Sequence, residues 1–197
     1  MGIHTLFMDI GGVIVEPNPE FWDCLQHNWG APRNVEQLFY GQDSPWPACR
    51  IGQITYLEYT ARMAEQLGMS AEHLIRLRQD YEWRINWPMV TWLRAHRNPE
   101  IQIIAISNAD DQLENQLTEF GVIDLFDHII NSARVGLAKP DPQIYRLALE
   151  KSHTPPELCL FVDDRLLNIE PAEELGMKTW VYAGFEAFTE AMIGLLD

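Results

Sequence analysis

Short runs that are apolar throughout alternate with amphipathic segments in the second half of the chain. The apolar runs cover residues 101–107, 128–131, 158–164 and 178–183, and the segments between them have the apolar spacing of helices. Strands of a parallel sheet are covered by helices on both faces, so they are apolar at nearly every position rather than at every second one. The pattern predicts an α/β fold with a parallel sheet between two layers of helices.

A long helical stretch separates the first strand from the others. Residues 3–8 and 12–15 have the composition of a buried strand that leaves a turn, and Pro17 breaks this pattern. From about residue 19 to residue 85 every periodic segment is predicted to be helical, and Ser70 is suited to cap the last helix. The predicted domains are an α/β core of residues 1–16 and 86–197 and a helical insertion of residues 17–85.

The composition narrows the kinds of partner to expect. The chain has 197 residues, and its 14 Lys and Arg against 29 Asp and Glu give a formal net charge of -15. This charge disfavours nucleic acid or an anionic membrane as the main partner, and no apolar run reaches membrane-spanning length. The three cysteines lack metal-ligand spacing, and the first residues lack the pattern of a signal peptide, which is typical of a cytoplasmic protein with reduced thiols. The sequence leaves the oligomeric state open.

Polar residues follow three of the predicted strands at the point where each strand ends. Asp9 follows the first strand, Ser107 and Asn108 follow a second, and the pair Asp163 and Asp164 follows a third. Because the carboxyl ends of parallel strands meet at one edge of a sheet, we expect these side chains to converge. Lys139, in a loop just before a helix, is expected to join them.

Carboxylates that converge repel one another unless a cation lies between them, and an all-oxygen set of ligands suits Mg²⁺. The cation would hold a phosphate, to which the Ser107 hydroxyl can donate a hydrogen bond and Lys139 supplies a fixed positive charge. Asp9 is then the candidate nucleophile that forms an aspartyl phosphate. The sequence therefore predicts a magnesium-dependent site for a small phosphorylated metabolite.

Four motifs in this order resemble those of the haloacid dehalogenase superfamily. They are "DIGGV" at residues 9–13, the Ser-Asn pair at 107 and 108, "GLAKPDPQIY" at 136–145, and "FVDDRLLNIEPAEELGM" at 161–177. The helical insertion stands where many members carry a helical cap. The resemblance covers nearly the whole chain and implies a Rossmann-like three-layer core and a phosphohydrolase, with a sugar phosphate among the substrates to test.

The resemblance also implies a role for each residue of the metal site. Asp9 would be both nucleophile and Mg²⁺ ligand, the backbone carbonyl of Gly11 a second ligand and Asp164 a third. Asp163 belongs to the same metal-binding group, behind the direct ligands.

Other residues would, by the same resemblance, hold the phosphoryl group. Ser107 and Asn108 would contact it, and Lys139 would bind it while it keeps the carboxylates in place. Asn168 would order the loop after the acidic pair, with Lys139 as a possible contact.

Position 11 departs from the family pattern. Phosphatases of the family usually carry a second aspartate there, which protonates the leaving oxygen and then activates water, whereas this chain has Gly11. General acid–base catalysis contributes roughly 10²–10⁴-fold to a rate, so turnover is expected to depend steeply on the stability of the leaving group. Glu16 and His27 are two candidate replacements.

Gly11 leaves three functions open. A phosphatase that uses water or a cap residue as its acid is favoured, because the paired acids that bind the metal are retained. Haloacid dehalogenases also lack the second aspartate, but they need no Mg²⁺ and usually lack the paired acids. The third function is binding of a phosphorylated ligand without turnover.

The helical insertion is less informative about substrate. Its tryptophans and Trp87 have helical spacing, which places most of them in the core rather than in a pocket. "ACRIGQIT" resembles a cap turn of relatives, in which Gly52 and Thr55 begin a helix and Arg50 faces either ligand or solvent.

Overall fold

A computed structural model describes residues 2–193, and within them a five-stranded parallel sheet forms the centre of the fold. The five strands are β1 (Thr5–Met8), β4 (Gln102–Ser107), β5 (His128–Asn131), β6 (Cys159–Asp163) and β7 (Lys178–Val181). Their order across the sheet is β5-β4-β1-β6-β7, so β1 is central, with β4 and β6 as its neighbours. This confirms the predicted Rossmann-like α/β fold.

Successive side chains of the central strand point to opposite faces of the sheet, and both faces are buried. Leu6 and Met8 belong to one hydrophobic cluster, and Phe7, between them, belongs to another. Because strand side chains alternate with a period of two, a strand that is apolar at every position needs a layer of helices on each side. These layers contain the helices α6 (Trp87–Ala95), α7 (Leu113–Glu119), α8 (Ser132–Val135), α9 (Pro142–Ser152), α10 (Leu166–Glu174) and α11 (Phe185–Met192).

Helices also fill most of the predicted helical insertion. They are α1 (Pro19–Trp29), α2 (Val35–Tyr40), α3 (Trp46–Cys49), α4 (Tyr56–Gln66) and α5 (Ala71–Tyr81). They share a hydrophobic cluster of their own, which includes Phe21, Phe39 and Tyr59. Ser70 accepts a hydrogen bond from the backbone N–H of His73, which confirms it as the N-cap of α5. The domain boundaries stay a prediction, and residues 1 and 194–197 of the predicted core lie outside the described residues.

One predicted helix is wrong at its end. The segment expected to be helical to residue 85 leaves the helix after Tyr81, and β3 (Trp83–Ile85) pairs antiparallel with β2 (Val15–Pro17). Trp83 and Ile85 are partly buried while Arg84 between them is exposed, which is the period of a strand. The segment is so short that its apolar positions fit the period of a helix or that of a strand. Its pairing with β2 favours the strand.

The predicted strand at residues 12–15 is also displaced. Residues 12–14 form a turn in which the N–H of Ile14 and that of Val15 both donate to the carbonyl of Ile10, and β2 begins only at Val15. A positive φ of 78° at Gly12 allows this turn, because glycine has no Cβ atom to clash. The turn follows Asp9 directly, and its residue Gly12 lines the cavity beside Asp9.

No helix among the described residues is long and apolar enough to cross a membrane. Cys24, Cys49 and Cys159 are free thiols.

Candidate active site

Asp9 lies at the centre of the carboxyl edge of the sheet because β1 is the central strand. β4 ends at Ser107 on one side of it and β6 ends at Asp163 on the other. Asp9 is 7% exposed, and its Oδ1 accepts a hydrogen bond of 2.7 Å from the backbone N–H of Ile10. The sheet therefore brings together the strand ends that the sequence predicts.

Lys139 forms ion pairs with two of the carboxylates. Its Nζ lies 2.8 Å from Oδ1 of Asp9 and 2.6 Å from Oδ2 of Asp163, and its side chain is fully buried. Burial alone would lower the pKa of Lys139, but the two carboxylates outweigh burial and hold the pKa above its ordinary value. Lys139 is therefore a fixed cation.

The side chain of Asn108 positions Lys139 through its backbone. Oδ1 of Asn108 accepts the N–H of Lys139 and Nδ2 donates to its carbonyl, each at 2.8 Å. This pair of hydrogen bonds ties the end of β4 to the lysine loop. Asn108 thus has a visible positioning role, and its predicted contact with a phosphoryl group stays a prediction.

Asp163 is held in place by several donors. Its Oδ1 accepts hydrogen bonds from the backbone N–H of Arg165 and from Nδ2 of Asn168, each at 2.9 Å, while Oδ2 accepts from Lys139. Asn168 therefore orders the loop after β6, as expected, but its partner is Asp163 rather than Lys139. Asp163 itself is completely buried behind the edge of the site.

Three carboxylates form a cluster that could hold a metal ion. Asp9, Asp163 and Asp164 each offer an oxygen atom within 4.8 Å of the others, and Asp164 is exposed. Burial raises the pKa of Asp9 to about 8. The attraction of Lys139 opposes this rise, and repulsion from Asp163 and Asp164 adds to it. One ammonium therefore leaves the cluster short of positive charge.

The cluster opens into a cavity of about 350 Å³ between the helical insertion and the sheet edge. The predicted site residues that line it are Asp9, Gly11, Ser107, Asn108, Lys139 and Asp164. Its far wall is aromatic and contains Trp22, Tyr40, Trp46 and Trp83. Trp22, Trp46 and Trp83 therefore face the cavity as well as the core, although most of the tryptophans were expected in the core alone.

A family profile described as a haloacid dehalogenase-like hydrolase matches residues 3–176. The chain belongs to this family. The four motifs that resemble the family lie at the strand ends and loops described above.

Among curated relatives, this haloacid dehalogenase-like hydrolase is similar to two mammalian proteins. It is 28% identical to bifunctional epoxide hydrolase 2 of Sus scrofa over 91% of the chain, and 25% identical to haloacid dehalogenase-like hydrolase domain-containing protein 3 of Mus musculus over 84%. The chain spans 36% of the length of the first and 64% of the length of the second.

Two solved structures illustrate the shared fold. A haloacid dehalogenase family enzyme from Bacteroides thetaiotaomicron, in complex with magnesium and inorganic phosphate, has a TM-score of 0.77 at 25% identity, with 93% of this chain and 96% of that one covered. L-2-haloacid dehalogenase from Xanthobacter autotrophicus has a TM-score of 0.68 at 19% identity, with coverage of 97% and 82%.

Several residues of this chain lie at the cavity although the motifs did not identify them. Arg50 is one that the sequence left undecided: it lines the cavity, where burial and the nearby Arg165 lower its pKa. Arg78 and Asp110 also line the cavity. Neither stands in a motif, and they come from segments far apart in the chain, α5 and the loop after β4.

Proposed function

We propose that this chain is a Mg²⁺-dependent phosphatase that hydrolyses a small phosphorylated metabolite through an aspartyl phosphate on Asp9. The observation that carries the proposal is the contact of Lys139 with Asp9 and Asp163 beside Asp164. Three carboxylates with one ammonium need a further cation, and oxygen donors suit Mg²⁺. The magnesium and phosphate complex of the Bacteroides enzyme, which shares the fold, supports this choice.

In the first step, formation of the aspartyl phosphate, some residues would bind the metal and others the phosphate. Asp9, Asp164 and the carbonyl of Gly11 would hold Mg²⁺, which when bound neutralises phosphate oxygens and keeps Asp9 ionised. Lys139 has three N–H donors, of which Asp9 and Asp163 take two, so a phosphate oxygen can accept the third. Ser107, which lines the cavity, would donate to another oxygen.

Asp9 then attacks phosphorus, and the bond from phosphorus to the leaving oxygen breaks. Water attacks the aspartyl phosphate in the second step and releases inorganic phosphate with the Asp9 carboxylate. The aromatic wall of Trp22, Trp46 and Trp83 favours a leaving group with a flat apolar face, and a sugar ring has one.

The test is release of inorganic phosphate from a panel of sugar, nucleotide and aryl phosphates, with Mg²⁺ or with EDTA. Asp9→Asn should abolish release, whereas Asp23→Asn, which changes an exposed carboxylate in α1, should retain it. Release that is equally fast in EDTA, or that survives in Asp9→Asn, would refute the proposal.

Gly11 and the likeness to L-2-haloacid dehalogenase favour dehalogenation as the second candidate. In that reaction Asp9 would attack the carbon of a 2-haloacid and displace halide without a metal. EDTA-insensitive release of chloride from 2-chloropropionate would identify it. Stabilisation by phosphate without any turnover would instead identify a binding protein.

A further inference from the structure

A phosphatase with glycine at position 11 needs another source for the proton of the leaving group. Glu16 and His27, the replacements that the sequence suggested, are both exposed, and neither lines the cavity. Nδ1 of His27 instead contacts the backbone carbonyl of Asp23 within its own helix. A side chain that supplies this proton must share the cavity with Asp9.

Asp110 is such a group. It lies three residues after Ser107, in the loop between β4 and α7, and it lines the same cavity as Asp9, Ser107 and Lys139. It is 6% exposed. Its Oδ1 accepts the backbone N–H of Gln112 at 2.9 Å, which fixes the carboxyl in the turn before α7.

The surroundings of Asp110 raise its pKa towards neutrality, so a larger fraction of it carries a proton than of an ordinary aspartate. Burial raises its pKa to about 6, against the attraction of Arg78, and Glu82 and Asp111 add to the rise. Arg78 forms an ion pair with Glu82, in which its Nε lies 2.7 Å from the carboxylate. Asp110 takes part in none of the ion pairs among the described residues. The other titratable groups that sense its charge are Cys49, Tyr56 and Tyr59.

We propose that Asp110 is the catalytic acid and base that replaces the aspartate missing at position 11; this rests on the proposed phosphatase function. In the first step Asp9 bonds to phosphorus, the bond to the leaving oxygen breaks, and that oxygen takes the proton of the Asp110 carboxylic acid. In the second step the Asp110 carboxylate takes a proton from the attacking water as the bond between phosphorus and Asp9 breaks. Asp110 ends as the acid, so protons and electrons balance.

If Asp110 is the acid, the reaction rate should depend less on the stability of the leaving group. Gly11 alone predicts that alkyl phosphates react far more slowly than aryl phosphates, whereas a working acid reduces that difference. The steep dependence should appear only when Asp110 loses its proton-transfer ability.

The experiment is rapid-mixing kinetics of Asp110→Asn beside wild type. An Asn side-chain oxygen can still accept the N–H of Gln112, so the turn is preserved. The matched control is Asp111→Asn, which removes a neighbouring carboxylate that does not line the cavity and whose Oδ1 accepts the N–H of Tyr56.

With 2,4-dinitrophenyl phosphate, whose leaving group needs no proton, Asp110→Asn should release one dinitrophenolate per site at the wild-type burst rate. Steady turnover should then fall by about 10²–10⁴-fold, because hydrolysis of the aspartyl phosphate lacks its base. Glycerol phosphate should show the same loss without a burst. Asp111→Asn should keep the wild-type burst and change steady turnover only slightly, because Asp111 comes last among the causes of the raised pKa of Asp110.

A burst slowed as much as steady turnover would assign Asp110 a structural role and overturn the inference, as would an unchanged steady rate. Either result leaves the phosphatase function intact as long as the burst requires Mg²⁺ and is lost in Asp9→Asn. Failure of those two requirements would refute the proposed function itself.

Discussion

The carboxylate of Asp164 lies against the backbone of Gly12 so closely that a Cβ atom at position 12 would overlap it. Gly12 also has a φ of 78°, where other residues are strained. Gly11, next to it, has open space around the position of a Cβ atom and no positive φ. The two glycines therefore differ in what they permit.

Gly12→Ala should displace Asp164 and weaken Mg²⁺ binding by roughly 10–100-fold, which is typical when the support of a metal ligand is disturbed. Gly11→Ala is the control and should change Mg²⁺ affinity by no more than about threefold, because nothing stands in the way of the added methyl group. Titration of turnover against Mg²⁺ measures both. Equal affinities in the two variants would show that Asp164 is not a ligand.

Lys139→Met should destabilise the protein by roughly 3–5 kcal/mol, because Asp163 would remain buried without its cation. The same substitution at Lys151, an exposed residue of α9, should cost less than about 0.5 kcal/mol. Urea denaturation measures the free energy of unfolding of each variant. Adding Asp163→Asn to Lys139→Met should recover part of the loss, and a further loss would contradict the assigned pairing.

Asp9→Asn should stabilise the metal-free protein, and the gain should grow with pH. Burial raises the pKa of Asp9 from 3.8 to about 8. The stability from this group is therefore fully present below about pH 4 and is lost as the pH rises towards 8. Each kcal/mol regained by Asn raises the melting temperature by about 2–4 °C for a chain of this size.

Thermal melts in EDTA at pH 5 and pH 8 measure this difference. Added Mg²⁺ should reverse it, because wild type would then bind the cation more tightly than Asp9→Asn. A difference between wild type and variant that stays constant from pH 5 to pH 8 would show that Asp9 is not perturbed.

Gly52→Ala should disturb the docking of the helical insertion on the core. A Cβ atom at Gly52, whose φ is 72°, would overlap the backbone carbonyl oxygen of Ala133 in α8. Gly68 has a similar φ of 66° and open space, so Gly68→Ala carries the same backbone strain without the clash. KM for an aryl phosphate should rise several-fold in Gly52→Ala only. If KM is the same in both variants, the contact between Gly52 and Ala133 does not affect substrate binding.

Many of the site residues at the carboxyl edge of the sheet could be predicted, because their positions follow from short stretches of sequence. Asp9, Ser107 and Asp163 each follow a strand that is apolar throughout, and parallel strands present those ends at one edge. The motif order then placed Lys139 with them. Neither step requires knowledge of how distant segments pack.

The remainder depends on contacts between segments far apart in the chain. Trp83 belongs to a strand only because β3 pairs with β2, with Trp83 opposite Pro17, and its own segment has the spacing of a helix. Asp110 gains its burial and raised pKa from a loop end that lies under the helical insertion beside Arg78. Sequence alone gives no measure of that burial.

The pairing of Val15 with Ile85 places the two ends of the helical insertion side by side. A segment whose ends are adjacent can be exchanged for another without moving the strands that it leaves and re-enters. The insertion supplies Trp22, Tyr40, Trp46 and Arg50 to the cavity, whereas the strand ends supply Asp9 and Ser107. We therefore expect that exchanging the insertion between relatives changes substrate preference as one block and leaves the residues of the strand ends in place.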